Sequence, residues 1–217
     1  MDRCYSARMV RCQPSPPAKL PKVWLISDAR NDVRLERLLE SLPRGSGFIY
    51  RHYHLDAEAR RARFDVLARI ARRRGHLVIL SGNATQARRW RADGSYGAPA
   101  KAEVSGRGRA AGKGTRSPPS RRFKWHMATA HSLREIAAAR RAGADAILLS
   151  PMFPTRSHPG AKTLGPVRFH LLAARAGLPV IALGGMTAQR ARRLKAAGWA
   201  AIDGICAEAR AWIPGDS

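Results

Sequence analysis

Between residues 23 and 205, short apolar runs alternate with stretches whose apolar residues recur at helical spacing. The first run, VWLIS at 23–27, leads to Asp32 as a candidate N-cap. Val33, Leu35, Leu38, Leu39 and Leu42 then follow at helical steps, stopped by Pro43. An apolar run this short predicts a buried strand, and the periodic stretch behind it a helix. The unit recurs. GFIYR at 47–51 leads through Asp56 into a helix ending near Gly75, and HLVIL at 76–80 leads into a helix around 84–92. A short fourth strand is predicted near 94–97. WHMAT at 125–129 precedes Ser132-Leu133-Arg134-Glu135, whose serine and glutamate side chains match a capping box, and Gly143 closes the predicted helix. AILLS at 146–150 is the sixth strand. Pro166 opens a helix that stops at Gly177, PVIAL at 179–183 is the seventh strand, Thr187–Gly198 the next helix, and AAIDGI at 200–205 the eighth strand.

Strand candidates nearly all followed by helices predict a parallel α/β fold. Their number, eight, favours a closed (β/α)8 TIM barrel over an open sheet. At 217 residues the chain is slightly short for such a barrel, so short loops are expected. The region 97–123 breaks the rhythm. Holding SGRGRAAGKGTRSPPSRR, it has no apolar period and reads as a basic flexible insertion after strand four. Residues 1–21 read as a disordered N-terminal extension and 22–213 as the barrel. Asp145, in a Gly-Ala-Asp turn, is expected to bond backbone at a strand entrance.

Composition adds a strong charge imbalance: 40 Lys+Arg against 15 Asp+Glu, a formal net charge of +25. With 45% hydrophobic residues the chain is able to bury a sizeable core, which excludes a mostly disordered basic tail. Only seven of the 40 cations are lysines, and the arginines are spread through helical segments such as Arg72-Arg73-Arg74 and Arg192-Arg193. That distribution is a solvated outer face, and it disfavours nucleic acid as a partner. No apolar run approaches a membrane span, and the first 22 residues lack the apolar stretch of a secretory signal, so a cytoplasmic protein with no membrane partner is expected. Cys4, Cys12 and Cys206 have no Cys-x-x-Cys spacing, which points to neither a zinc site nor a disulfide framework. His52 and His54, with no third ligand at sensible spacing, read as surface or packing residues.

In a barrel of this kind, chemistry is expected where the strands end. Those positions hold Asp28, Arg51, Ser81–Asn83, Thr129–Ser132, Ser150–His158, Gly184-Gly185 and Cys206-Ala207, a set rich in hydroxyls, cations and glycines. Glycines after strand seven are where barrels commonly hold phosphate on backbone N–H groups.

The strings AHSLREIAAARRAGADAILLSPMFPTRSHPGAKTLG and PVIALGGMTAQRARRLKAAGWAAIDGICA resemble the second half of the thiamine phosphate synthases and the related thiazole tautomerases. WLISDARND resembles that family's opening strand, and FIYRHY falls where the family carries a Gln-x-Arg-x-Lys pattern. The resemblance implies a transferase that couples hydroxymethylpyrimidine diphosphate with thiazole phosphate, with Mg2+ assistance, giving thiamine phosphate and diphosphate. It assigns Arg51 to the diphosphate and Thr129 to a hydroxyl position beside it. Thr155 and Ser157 match the hydroxyls of the loop after strand six, and His158 falls where the family has a lysine. Gly184 and Gly185, with the backbone at Cys206 and Ala207, correspond to the thiazole-phosphate cradle.

This sequence departs from the pattern at several places. Ile49 and Tyr53 replace the family's Gln and Lys, Ser81-Gly82-Asn83 stands for an Asn-Asp pair, and GSYGAPAK holds no carboxylate, so the metal ligands are unassigned. His131, in a His-Ser motif like that of the tautomerases, marks a proton-transfer group. The alternatives implied are therefore a thiazole tautomerase-like enzyme or a non-catalytic thiazole-phosphate binder with an eroded metal site.

Overall fold

A computed structural model describes residues 20–97, 125–156, 160 and 162–205. Its eight strands are β1 (Val23–Ile26), β2 (Gly47–Tyr50), β3 (Leu77–Ser81), β4 (Gly94–Gly97), β5 (Trp125–Ala130), β6 (Ala146–Leu149), β7 (Val180–Leu183) and β8 (Gly198–Ala201). They pair in parallel in chain order, and β8 returns to β1 to close the barrel. The (β/α)8 expectation holds.

Closure divides each strand's side chains between two cores. Trp24, Ile26, Ile49, Ile79, Met127, Leu148, Ile181 and Ala200 fill the barrel interior. Their alternates, among them Leu25, Phe48, Tyr50, Leu80, Ile147 and Trp199, pack beneath the helices. Trp24 lies opposite Gly47, where an added Cβ would come within 2.1 Å of the indole ring, so glycine there is what admits the large side chain.

Among the described residues six helices wrap this wall: α1 (Leu35–Ser41), α2 (Ala57–Arg73), α3 (Ala84–Arg89), α4 (Leu133–Arg141), α5 (Gly165–Ala176) and α6 (Ala188–Leu194). Their starts follow the sequence closely. Asp56, Asn83, Ser132 and Thr187 each accept a backbone N–H from the first turn of the helix they precede. Gly177 closes α5 in the left-handed conformation. The carboxylate of Asp145 accepts the His126 N–H at 2.7 Å, tying the entrances of β5 and β6.

Two boundaries differ from expectation. Asp28, not Asp32, provides the first cap, opening a 3-10 turn over Ala29–Arg34 in which Asn31 reciprocates. Asp32 is drawn instead into an ionic network with α2. The last helix ends at Leu194, where Lys195 turns left-handed, and β8 begins at Gly198 rather than at residue 200. Trp199 explains the shift: it pairs with Ala182 and Val23, and its fully buried ring needs the outward-facing strand position.

Gly97 is the last residue of β4. The rest of the predicted 97–123 insertion, residues 1–19 of the predicted extension, and Ser157, His158, Cys206 and Ala207 lie outside the described residues. Among the described residues no helix is long and apolar enough to cross a membrane.

Candidate active site

A cavity of about 900 Å3 opens at the C-terminal ends of the strands, a size suited to a small ligand. Of the residues singled out from sequence, it brings together Arg51, Thr129, His131, Thr155, Gly184 and Gly185. They come from β2, β5, β6 and β7 and the loops that follow, so both halves of the barrel contribute.

Arg51 follows β2. Among the described residues no carboxylate pairs with its guanidinium; Asp28, at the end of the neighbouring β1, pairs instead with Arg30 at 2.9 Å. Burial pushes the Asp28 carboxyl up, but hydrogen bonds from Arg30, with a smaller contribution from the Arg51 charge, bring it below its usual value. The backbone of Arg51 is held from two sides. Its N–H donates to Ser27 Oγ at 2.8 Å, and its carbonyl accepts Arg60 Nε–H at 2.8 Å. Arg60 Nη2 also donates to the Ser81 carbonyl at 2.8 Å, so one buried guanidinium from α2 ties the ends of β2 and β3 together. The rings of Tyr53 and Trp90 lie 4.9 and 5.2 Å from that guanidinium, which offsets part of its desolvation.

Behind Arg51 lies a second network. Ser27 Oγ meets His52 Nδ1 at 2.8 Å, and His52 Nε2 meets Asp32 Oδ1 at 2.9 Å. Arg63 pairs with both Asp32 and Glu36. Burial lowers the affinity of His52 for a proton, outweighing the Asp32 carboxylate, which favours protonation. His52 is therefore fully buried and doubly bonded rather than a surface residue. Its φ of 41° is left-handed, a cost of about 1–2 kcal/mol that the two side-chain bonds offset.

Two hydroxyl pairs face the cavity. Tyr53 Oη and Ser81 Oγ are 2.7 Å apart, and Thr129 Oγ1 donates to Tyr96 Oη at 2.8 Å. Ser81 and Tyr96 are register partners across β3 and β4, which sets the pairs side by side. Burial pushes the Tyr96 phenol up, against smaller opposing effects of the Thr129 bond and the Arg51 charge, so it stays protonated. In the sequence Ser81 stands among the strand-end candidates, whereas Tyr53 reads only as a departure from the family pattern and Tyr96 carries no signal. The strand ends were legible, but which hydroxyls meet depends on register.

His131 is held on both sides. Its N–H donates to Glu135 Oε2 at 2.8 Å, within the capped start of α4, and its Nδ1 stands 2.5 Å from the Ser150 carbonyl. A carbonyl only accepts, so Nδ1 is the donor of this bond and, in the neutral ring, Nε2 carries the lone pair. Gly184 and Gly185 have φ values of 96° and 62°, and an added Cβ would come within 2.9 Å of Pro151 and 2.6 Å of the Pro154 carbonyl. Glycine is required there because the loop after β6 lies against the end of β7, with the Phe153 N–H donating to the Gly184 carbonyl at 3.1 Å.

The described lining carries four permanent cations, Arg51, Arg156, Lys162 and Arg190, against one carboxylate, Asp203. Asp203 is itself 3.3 Å from Arg30. Mg2+ prefers carboxylate and other oxygen acceptors, so among the described residues the lining does not fit that ion. Asp32, His52 and His54 each place one ligand atom within 4.8 Å of the others. Asp32 is already neutralised by Arg63, and both His52 nitrogens are bonded, so this cluster does not fit an ion either.

Residues 125–207 match the family model for thiamine monophosphate synthase. Thiamine-phosphate synthases of Geobacillus thermodenitrificans and Geobacillus kaustophilus are each 39% identical over 88 residues, 40% of this chain and 40% of each relative. The chain thus aligns with well under half the length of these curated relatives. Among solved structures, a thiamine phosphate pyrophosphorylase from Pyrococcus furiosus matches with a TM-score of 0.64 at 22% identity, covering 83% of this chain and 85% of that one. At that identity the likeness is one of fold. It runs through the first half of the barrel as well as the second, while the sequence match covers β5 to β8 and the loops that shape half of the cavity. Through residues 125–207, this chain is similar to the thiamine monophosphate synthase family.

Proposed function

We propose that the cavity couples a pyrimidine methyl diphosphate to a thiazole phosphate. In this reaction the thiazole nitrogen uses its lone pair to form a bond to the pyrimidine methylene carbon. The carbon–oxygen bond to the diphosphate breaks, and diphosphate leaves with the bonding electrons. Charge therefore grows on the leaving group, and cations or O–H donors placed around it lower the barrier. Arg51 serves that need, with Thr129 and Tyr96 beside it. Thr155 and Ser157 bind from the loop after β6, joined by His158. The thiazole phosphate is taken by the backbone at Gly184 and Gly185, and at Cys206 and Ala207. Mg2+ is implied by the family, but it finds no fitting donor set among the described residues, so the diphosphate charge falls to the chain's own cations.

The observation that carries this reading is the meeting of two parts in one cavity. The family segment supplies Thr129, Thr155, Gly184 and Gly185, and Arg51 arrives from outside that segment with no acid partner among the described residues. The test mixes purified protein with hydroxymethylpyrimidine diphosphate and thiazole phosphate, with and without Mg2+, and reads thiamine phosphate by fluorescence after oxidation. Product is expected, and Arg51→Ala should lower kcat/KM by about 100-fold or more. Absence of product in both buffers overturns the reading.

A second reading is favoured by one feature, the fixed tautomer of His131. A basic Nε2 at the cavity suits moving a proton within a thiazole carboxylate phosphate, a reaction with no diphosphate to release. Tautomerisation of such a substrate that is lost in His131→Asn, by a protein that forms no thiamine phosphate, would establish it.

A further inference from the structure

The cavity wall is built to donate hydrogen bonds. Each hydroxyl pair holds two O–H hydrogens and uses one internally, so Tyr96 keeps its own O–H and the Tyr53–Ser81 pair keeps another. Four carbonyl acceptors at the strand ends are already engaged. The Arg51 and Ser81 carbonyls accept from Arg60, the Ser150 carbonyl accepts from His131, and the Gly185 carbonyl accepts from Arg190. Of the ionised groups in the described lining, the sole acid is taken by Arg30. A divalent cation needs oxygen lone pairs, whereas a diphosphate offers nothing but acceptors.

We infer that the cavity binds a diphosphate group directly, on the Arg51 guanidinium and the O–H groups of the Tyr53–Ser81 and Tyr96–Thr129 pairs, with no divalent cation between protein and ligand. The inference rests on the diphosphate half of the reading above. Shared placement supports it: Arg51 and both hydroxyl pairs line the same cavity. Donors of this kind discriminate for the bare anion, because a metal chelated by the diphosphate would bring its own positive charge against Arg51.

The test is calorimetric titration of the whole protein with inorganic diphosphate, once in EDTA and once in excess Mg2+. The affinity in EDTA is expected to lie within about twofold of that in Mg2+, or above it. Tyr96→Phe, which deletes one donor, should weaken binding in EDTA by about tenfold, and Arg51→Ala by at least about tenfold. Tyr53→Phe, at an exposed ring, is the second variant should Tyr96→Phe fail to fold. Diphosphate binding that requires Mg2+ overturns the inference, and so does unchanged affinity in the folded tyrosine variants. The synthase reading is separable from this. Diphosphate bound in EDTA without any thiamine phosphate formed upholds the direct site and rejects the synthase. Product formation together with Mg2+-dependent diphosphate binding does the reverse.

Discussion

Arg60 sits on the inward stripe of α2, in line with Phe64, Leu67, Ala68 and Ala71, and among the described residues no carboxylate pairs with it. An arginine on an apolar stripe is visible in the sequence as an anomaly; what it binds is not, because its two carbonyl partners lie 9 and 21 residues away. Replacing it by methionine keeps the apolar stem but leaves both carbonyls without that donor. Arg60→Met is expected to cost about 1–3 kcal/mol in urea unfolding. Arg60→Lys, which restores charge but not the forked geometry, should recover less than half of the loss. Equal stability of wild type and methionine variant would show that the tie between β2 and β3 contributes nothing. His52 gives a prediction of a different kind. Burial holds its folded-state proton affinity below the usual imidazole value, so it contributes stability above about pH 6.5 that is lost as pH falls through the lower folded value. Asp32, also held below its usual value, adds a loss of the same sign at lower pH; there burial pushes upward, and bonds from His52 and Arg63 prevail. The unfolding temperature should fall from about pH 7 to about pH 5, and less steeply in His52→Gln. Parallel profiles for the two proteins would contradict the assignment.

At the scale of the element, the glycines of the loop after β7 are explained by packing before any ligand is considered. Gly143 and Gly185 both lie at positive φ, 75° and 62°, but a Cβ at Gly143 meets open space, whereas at Gly185 it strikes the Pro154 carbonyl. Gly143→Ala should therefore cost about 1–2 kcal/mol from backbone strain alone. Gly185→Ala should cost more, and it should disturb the loop after β6 as well. Thermal unfolding of the two variants decides; equal losses would mean that the loop simply moves aside. Most elements were legible because their start and stop signals are local: the caps at Asp56, Asn83, Ser132 and Thr187, and the stops at Gly143 and Gly177. The failures come from tertiary demands. Asp32 carries the residue type of an N-cap, but Arg63 and His52 claim it. Trp199 falls between the predicted helix and the predicted strand, but its ring is needed under the helix layer, so β8 begins earlier.

For the whole molecule, repetition of one unit made the barrel readable: eight short apolar runs with helices between them admit few parallel arrangements, and closure of β8 on β1 completes the count. The cavity was legible where a single strand end announced it, at Arg51, Thr129, His131, Thr155 and the glycine pair. It was not legible where two strands must be aligned before a contact exists, as at Tyr53 with Ser81 and Tyr96 with Thr129. Charge also acts at this scale. A net charge of +25 repels itself in the compact state, so raising NaCl from about 0.05 M to about 0.5 M should raise the unfolding temperature while weakening diphosphate binding. An unfolding temperature that falls with salt would show that ion pairs dominate instead. In the proposed function one mouth, made by both halves of the barrel, holds the diphosphate. A structure determined with inorganic diphosphate bound tests it most directly. The expected result is the anion within hydrogen-bond distance of Arg51, Tyr96 and the Tyr53–Ser81 pair, with Gly184 and Gly185 across the cavity. Diphosphate seated on the outer arginines of the helices, with the mouth empty, would contradict the account.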